Sequence, residues 1–145
     1  MLRKLFKLPK KVTIEWSNPK KVDDVLNAPT LKEEIWGLYQ ISTKIDEDKI
    51  FLYIGKSWKD YHKRLKAHRR EWFDQYEGEK YVRFGSFLTS ITEIQLDEVE
   101  SAIIFQTKLP RNTQSVNSYS VNHDYIITST GKRGIVPSLI NTEEH

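Results

Sequence analysis

WGLYQISTKIDEDKIFLYIG, at residues 36–55, is the segment around which we expect the rest of the chain to be organised. Two short runs of alternating aromatic and branched residues, 37–41 and 51–55, flank an acidic segment at 46–48. Such alternation is typical of half-buried strands, and a short polar cluster between two strands is typical of a turn. The stretch therefore predicts a β-hairpin.

The register of this hairpin depends on where its turn is centred. With Asp46 near the midpoint, antiparallel pairing predicts three cross-strand pairs: Tyr39 with Tyr53, Gly37 with Gly55, and Ile41 with Phe51. The two tyrosines then share one face of the sheet, and a glycine at the outer end of each strand leaves open space beside their phenols. This arrangement fits a site that a ligand or another backbone approaches closely, and it also fits an ordinary aromatic cross-strand pair.

Length and composition indicate one globular domain. The 145 residues are enough to bury a core, and 38% hydrophobic with 30% charged residues is ordinary for a soluble protein. The chain has no cysteine, which excludes disulfides, thiolate metal sites and cysteine nucleophiles. Any metal must therefore bind through oxygen or histidine, and we expect a cytoplasmic protein.

The charge is mildly basic. A net charge of +3 and a pI of about 9.0 are compatible with a polyanionic partner without demanding one. No apolar run approaches the length of a membrane span, and lysines and a proline interrupt the first eleven residues too often for a signal peptide. We expect no membrane association, and no feature of the sequence indicates an obligate protein partner.

Breaks near Pro29 and after Thr113 predict three parts: a basic N-terminal extension at 1–30, a compact core at 31–113, and a C-terminal loop with short strands packed on the core at 114–145. The first eleven residues carry five cations, and they suit a solvated arm, a phosphate-contacting segment or a membrane-surface anchor. Short strands are predicted at 12–16 and 124–130, each inside one of the two terminal parts.

Residues 56–76 have helical periodicity directly after the hairpin. Their predicted buried stripe consists of Tyr61, Leu65, His68, Trp72 and Tyr76. Arg64 lies at the edge of that stripe, four residues before His68, so both side chains reach back toward the sheet. Arg64 and His68 each fit a functional site, and each also fits a structural position at which its polar atoms are hydrogen-bonded within the fold.

A third strand is predicted at 81–88, and a second helix at 97–108 carries Glu100 inside its apolar arc. An unpaired carboxylate on a buried face is costly, so Glu100 should be protonated, ion-paired or bound to a cation. The alternative is a capping box, with Asp97 as N-cap and Glu100 as its partner. Pro110 ends the helix and leaves Asn112 as a polar loop residue.

Taken together, these motifs resemble the GIY-YIG nuclease superfamily. The motifs are Gly37-Leu38-Tyr39, Tyr53-Ile54-Gly55, Arg64 and His68 in the following helix, Glu100 in a later helix, and Asn112 after a proline. The resemblance covers about residues 35–113, and it departs from the family name at Leu38, where isoleucine is expected. It implies an α/β (α+β) fold of GIY-YIG type, with a small, mostly antiparallel three-stranded central sheet flanked by helices, and with N- and C-terminal extensions.

The resemblance also implies an activity and a set of roles. The expected activity is Mg²⁺-dependent endonucleolytic hydrolysis of DNA, with Mn²⁺ as a substitute and a tyrosine-assisted water as nucleophile. The expected catalytic residues are Tyr39, Tyr53, Arg64, His68 and Glu100; Gly37, Gly55, Lys56 and Asn112 are expected to contact substrate. Glu100 would hold the metal, Arg64 would grip the scissile phosphate, and Tyr39 would orient or deprotonate the water. Lys56 is the predicted cation that lowers the pKa of Tyr39.

Two other interpretations stay open. One is a catalytically inactive nucleic-acid-binding module on the same fold, and the other is a structural protein whose tyrosine pair and glutamate are only architecture. A nuclease with one active site per chain cuts one strand at a time, so cutting both strands would take a homodimer or two visits.

Overall fold

The computed structural model describes residues 8–28, 36–119 and 121–144. Its strands are β1 (Lys10–Trp16), β2 (Lys20–Lys21), β3 (Trp36–Ile45), β4 (Asp48–Trp58), β5 (Glu79–Phe87), β6 (Tyr125–Gly131) and β7 (Leu139–Asn141). Its α-helices are α1 (Val22–Asn27), α2 (Tyr61–Glu71) and α3 (Glu93–Thr107), and two single 3-10 turns cover Phe73–Gln75 and Thr142–Glu144. No helix in this part of the chain is long and apolar enough to cross a membrane.

The central sheet has seven strands, so the prediction of a three-stranded sheet is wrong. The strand order is β4-β3-β5-β1-β6-β7, and β2 pairs with β5 beside this path. The two terminal parts supply the additional strands, since β1 lies antiparallel to β5 and β6 lies parallel to β1. The fold is mixed α/β, with three α-helices among the described residues.

The prediction failed because alternation shows that a segment forms a strand but does not show which strand it pairs with. Alternation correctly predicts strands near 12–16 and 124–130, where Val12, Ile14 and Trp16 are buried. Nothing in the local pattern says that these strands join the hairpin's own sheet. Pairing of Lys10 with Tyr125, for example, joins residues that are far apart in the chain.

The β3–β4 hairpin is confirmed, but its register differs from the predicted one. Tyr39 pairs with Gly55 instead of Tyr53, and Gly37 pairs with Ser57. The turn is centred between residues 46 and 47, and a β-bulge leaves Leu52 without a partner in β3. Each feature shifts the pairing by one residue, and because the total shift is two, the two tyrosines still share a face.

Both main helices begin at positions other than those predicted. Helix α2 begins at Tyr61 rather than residue 56, because β4 continues to Trp58, which pairs with Trp36. Helix α3 begins at Glu93, with Thr92 as N-cap and a capping box closed by Gln95. Glu100 therefore lies in the middle of α3, and the capping-box explanation for it is wrong.

Two apolar clusters lie on opposite faces of the sheet. One includes Leu38 from β3 together with the buried residues of α3, and the other includes Tyr39 and the buried residues of α1 and α2. Neighbouring residues of β3 thus point to different clusters, as the pleat requires. The tyrosine face of the hairpin consequently lies beneath α2, the helix that carries Arg64 and His68.

Candidate active site

Tyr39 is the buried centre of the candidate site, and Gly55 makes room for it. Tyr39 is completely buried, and its ring centroid lies 6.1 Å from that of Tyr53. A Cβ on Gly55 would lie only 2.6 Å from the Tyr39 hydroxyl and 2.6 Å from the Tyr53 ring. At Gly37, where φ is +150°, a Cβ would meet the Phe84 ring at 2.9 Å.

The expectation of open space beside these glycines is therefore wrong. The two phenols fill the face of Gly55, and β5 fills that of Gly37. Both glycines have a packing role. The residue type indicated that space is needed at these two positions, but the sequence did not indicate which residues fill that space. A contact between either glycine and a substrate stays a prediction.

His68 connects the tyrosine pair to a tryptophan. The Tyr39 hydroxyl lies 2.9 Å from Nε2 of His68, and the indole N–H of Trp72 donates to Nδ1 at 2.9 Å. The imidazole ring also packs against Tyr53, with 4.5 Å between centroids. Burial, followed by the positive charge of Arg64, lowers the pKa of His68 from 6.5 to about 4, so the ring is neutral at neutral pH.

Arg64 reaches the sheet as predicted. Its guanidinium donates through Nε to Asp60 at 3.0 Å and lies close enough to Tyr39 to hydrogen-bond the phenol. Asp60 was missed as a site residue, although an aspartate four residues before an arginine on a helix is a recognisable ion-pair spacing. The pair orients the guanidinium toward the tyrosines.

The phenols are neutral in this structure. Burial, followed by the nearby Tyr53, raises the pKa of Tyr39 well above its ordinary value, and the charge of Arg64 only opposes the shift. Burial and the charge of Glu100 likewise raise the pKa of Tyr53. The predicted lowering of the Tyr39 pKa by Lys56 is wrong, because Lys56 forms an ion pair with Asp97 and Arg64 is the cation beside Tyr39.

Glu100 is a half-buried carboxyl group, and no side chain in the described part of the protein neutralises it by contact. Burial raises its pKa from 4.5 to about 7, against the attraction of Lys56 and then Arg64. Among the described residues, no hydrogen bond or ion pair reaches its oxygens. Glu98 on the same helix is different, since it is 7% exposed and its carboxylate accepts a hydrogen bond of 2.6 Å from the Tyr125 hydroxyl.

This isolated carboxylate fits one type of metal site. Within residues 8–28, 36–119 and 121–144, no group of three or more His, Asp or Glu side chains is arranged to hold an ion. Mg²⁺ is commonly held by one or two carboxylates, with water and phosphate oxygens completing its shell. Glu100, directed into the field of Lys56 and Arg64, fits that pattern and does not fit a site built only from protein ligands.

Asn112 joins the segment after α3 to β4, the strand that carries Tyr53, through two hydrogen bonds. Its side-chain N–H donates to the carbonyl of Ile54 at 2.8 Å, and its side-chain oxygen accepts from the Ile54 N–H at 3.0 Å. The backbone N–H of Arg111 also donates to the carbonyl of Leu52 at 2.9 Å. Asn112 thereby holds the end of the Glu100 helix at the free edge of β4, and its contact with substrate stays a prediction.

Two residues were not predicted to take part. Trp72 was predicted to be buried, and it is 3% exposed, but its N–H points at His68 rather than at solvent. The guanidinium of Arg111 lies over the Trp72 ring, 5.1 Å from the centroid. Composition gives one hint of this, because a buried tryptophan needs an acceptor for its N–H.

No family model matches the chain, and neither curated proteins nor solved structures give a match. The resemblance to GIY-YIG nucleases therefore rests on the sequence motifs alone.

Proposed function

We propose that this protein is a metal-dependent endonuclease that hydrolyses DNA phosphodiester bonds, in the manner of GIY-YIG nucleases. The observation that carries the proposal is the half-buried carboxyl group of Glu100, which has no ion-pair partner among the described residues, beside Arg64, the buried Tyr39 and the half-buried Tyr53. An uncompensated acid in that position has no structural benefit of its own, because burial of its charged form is unfavourable. A cation and a phosphate group would supply the missing partners.

Glu100 would hold one divalent ion, Mg²⁺ or in its place Mn²⁺. When bound, such an ion polarises phosphoryl oxygens and stabilises the charge that develops on them. Binding requires the ionised carboxylate, and the field of Lys56 and Arg64 keeps part of the Glu100 population ionised near neutral pH.

The other side chains divide the remaining work. Arg64 would bind the non-bridging oxygens of the scissile phosphate through its planar donor fork. Tyr39 is completely buried and shares a side-chain hydrogen bond with the half-buried Tyr53, so the two phenols would act together on the attacking water and the phosphate. Lys56, at the rim of the site and paired with Asp97, would attract the polyanion.

The outer face of α2 supports a nucleic-acid substrate. Lys63 and Lys66 are exposed there and Lys59 is exposed just before the helix begins, and none of the three has an ion-pair partner in the described part of the chain. Such cations bind phosphates by releasing condensed counterions. The absence of cysteine from the sequence supports a cytoplasmic location.

The test separates cleavage from binding. Glu100→Gln keeps the size of the side chain and removes the carboxylate, and Glu93→Gln on the exposed first turn of α3 is its matched control. We expect Glu100→Gln to lose metal-dependent cleavage by at least about a hundredfold while binding DNA as tightly as the wild type. Undiminished cleavage by Glu100→Gln would remove it from the metal role. DNA binding without cleavage by the wild type would favour an inactive binding module.

A further inference from the structure

Trp72 and Tyr39 approach opposite nitrogens of the same histidine ring. Trp72 Nε1 lies 2.9 Å from Nδ1 of His68, and the Tyr39 hydroxyl lies 2.9 Å from Nε2. An indole N–H can only donate a hydrogen bond, whereas a phenol can donate or accept. Nδ1 must therefore be the unprotonated, accepting nitrogen, and the single proton of the neutral ring must reside on Nε2.

We propose that Trp72 is a positioning residue that fixes the Nε2–H tautomer of His68, so that His68 donates a hydrogen bond to the Tyr39 oxygen and does not accept the tyrosine's proton. The Tyr39 hydroxyl hydrogen must then point away from His68. The direction of the Tyr39 O–H bears on catalysis only if the proposed nuclease function is correct. The tautomer of His68 does not depend on that function.

The indole is held firmly enough to impose this choice. The backbone N–H of Trp72 donates to the His68 carbonyl at 3.0 Å, so Trp72 is bonded to His68 through both its main chain and its side chain. Phe73 packs edge-on against its ring, with 5.0 Å between centroids, and the Arg111 guanidinium covers the ring at 5.1 Å. Rotation of the indole would break its bond to Nδ1 of His68 and both of these ring contacts.

The surroundings of the imidazole favour the same state. A doubly protonated ring would set its Nδ1–H against the Trp72 N–H, which places two donors face to face. Arg64 and Arg111 add positive charge near the ring, and Glu71 is the opposing acid. A neutral ring with one accepting nitrogen is the form that satisfies every contact.

For the proposed reaction, this tautomer gives His68 a defined role. His68 and Arg64 both supply hydrogen-bond donors to the Tyr39 oxygen, which fixes the direction of the Tyr39 O–H. The Tyr39 O–H is left to donate to Tyr53, the half-buried phenol through which Tyr39 would act on the attacking water. A role for His68 as the base that takes the tyrosine proton is incompatible with the bond from Trp72.

The test is nitrogen NMR on the full-length protein labelled with ¹⁵N-histidine and ¹⁵N-tryptophan at pH 7, with His68 assigned through His68→Gln. We expect a protonated Nε2, an unprotonated Nδ1, and a coupling across the hydrogen bond between Trp72 Nε1 and His68 Nδ1. In Trp72→Phe, we expect the Nδ1–H tautomer to become populated; Trp58→Phe, which alters a tryptophan packed against Trp36 instead, should leave His68 unchanged.

A protonated Nδ1 in the wild type, or no coupling to Trp72, would overturn the proposal even if Trp72→Phe does not fold. Retention of a pure Nε2–H tautomer in a folded Trp72→Phe variant would overturn it as well. These spectra need no substrate or metal, so a protein without nuclease activity can still confirm or refute the tautomer. If the wild type cleaves DNA, Trp72→Phe should lower kcat by about tenfold or more, with metal dependence retained.

Discussion

The hydroxyl of Tyr39 lies where a side chain on Gly55 would have to be. The two residues face each other across β3 and β4, and a Cβ on Gly55 would approach the Tyr39 hydroxyl to 2.6 Å. The second glycine of the hairpin motif thus makes the buried tyrosine possible, because any side chain there would compete with the phenol for the same volume.

Gly55→Ala should accordingly disturb both stability and the site. The added methyl group must displace one or both phenols, which we expect to lower the free energy of unfolding by about 1–3 kcal/mol and to impair cleavage. Gly85→Ala is the matched control, since its Cβ would press on Ile14 at 2.9 Å in the opposite cluster. Urea unfolding and plasmid nicking would measure the two effects. Unfolding and cleavage at wild-type levels in Gly55→Ala would contradict this packing.

Glu100 should make the metal-free protein less stable as the pH rises. Its pKa is raised from 4.5 to about 7 in the fold, so the folded protein binds more protons than the unfolded chain between those values. Stability from this group is present below pH 4.5 and is lost on passing through pH 7, by at most about 3 kcal/mol. Glu100→Gln should therefore be more stable than the wild type at pH 8 in EDTA, with little difference at pH 4.5. Equal unfolding free energies at pH 8 would contradict the burial of this charge.

His68 should act in the opposite direction. Its pKa is lowered from 6.5 to about 4, so the unfolded chain binds the extra proton first as the pH falls. Stability from the neutral ring is present above pH 6.5 and declines toward pH 4, again by at most about 3 kcal/mol. Because Glu100 titrates in the same range, the comparison belongs in a Glu100→Gln background, with and without His68→Gln. Parallel stability profiles for those two proteins between pH 7 and pH 4.5 would be inconsistent with a buried neutral imidazole.

Asn112→Ala should destabilise the edge of the sheet. The substitution leaves the N–H and the carbonyl of Ile54, a completely buried residue, without their side-chain partners. We expect a loss of about 1–3 kcal/mol in the free energy of unfolding. Asn122→Ala on the exposed segment before β6 is the control and should change stability by less than about 0.5 kcal/mol. Equal stability of the two variants would show that the Ile54 contacts contribute nothing.

Local sequence patterns predicted the secondary-structure elements that form this site. The strand register and the size of the sheet depend on nonlocal pairing, which the sequence did not reveal. Alternation in residues 36–55 predicted the hairpin, and helical spacing correctly placed Arg64 and His68 over its tyrosine face. Neither the bulge at Leu52 nor the centre of the turn between residues 46 and 47 left a local signature, so the predicted partner of Tyr39 was two residues away from the observed one. The size of the sheet depends on pairs such as β1 with β6, which no window of sequence contains.

The same distinction applies to individual side chains. The periodicity that predicted burial of Trp72 could not show which way its N–H points, and that direction determines the tautomer of His68. The predicted position of Glu100 in an apolar arc holds, but the lack of a partner for it among the residues that the structure describes becomes visible only when the neighbouring side chains are placed.

The most direct test of the proposed activity is nicking of supercoiled plasmid DNA by the purified protein in Mg²⁺ or in EDTA. Glu100→Gln, purified in parallel, controls for a contaminating nuclease. We predict that the wild type converts supercoiled plasmid to the nicked form in Mg²⁺, stops in EDTA, and resumes when Mg²⁺ or Mn²⁺ is restored. Nicking that persists in EDTA, or that Glu100→Gln performs at the wild-type rate, would contradict a metal-dependent site at Glu100.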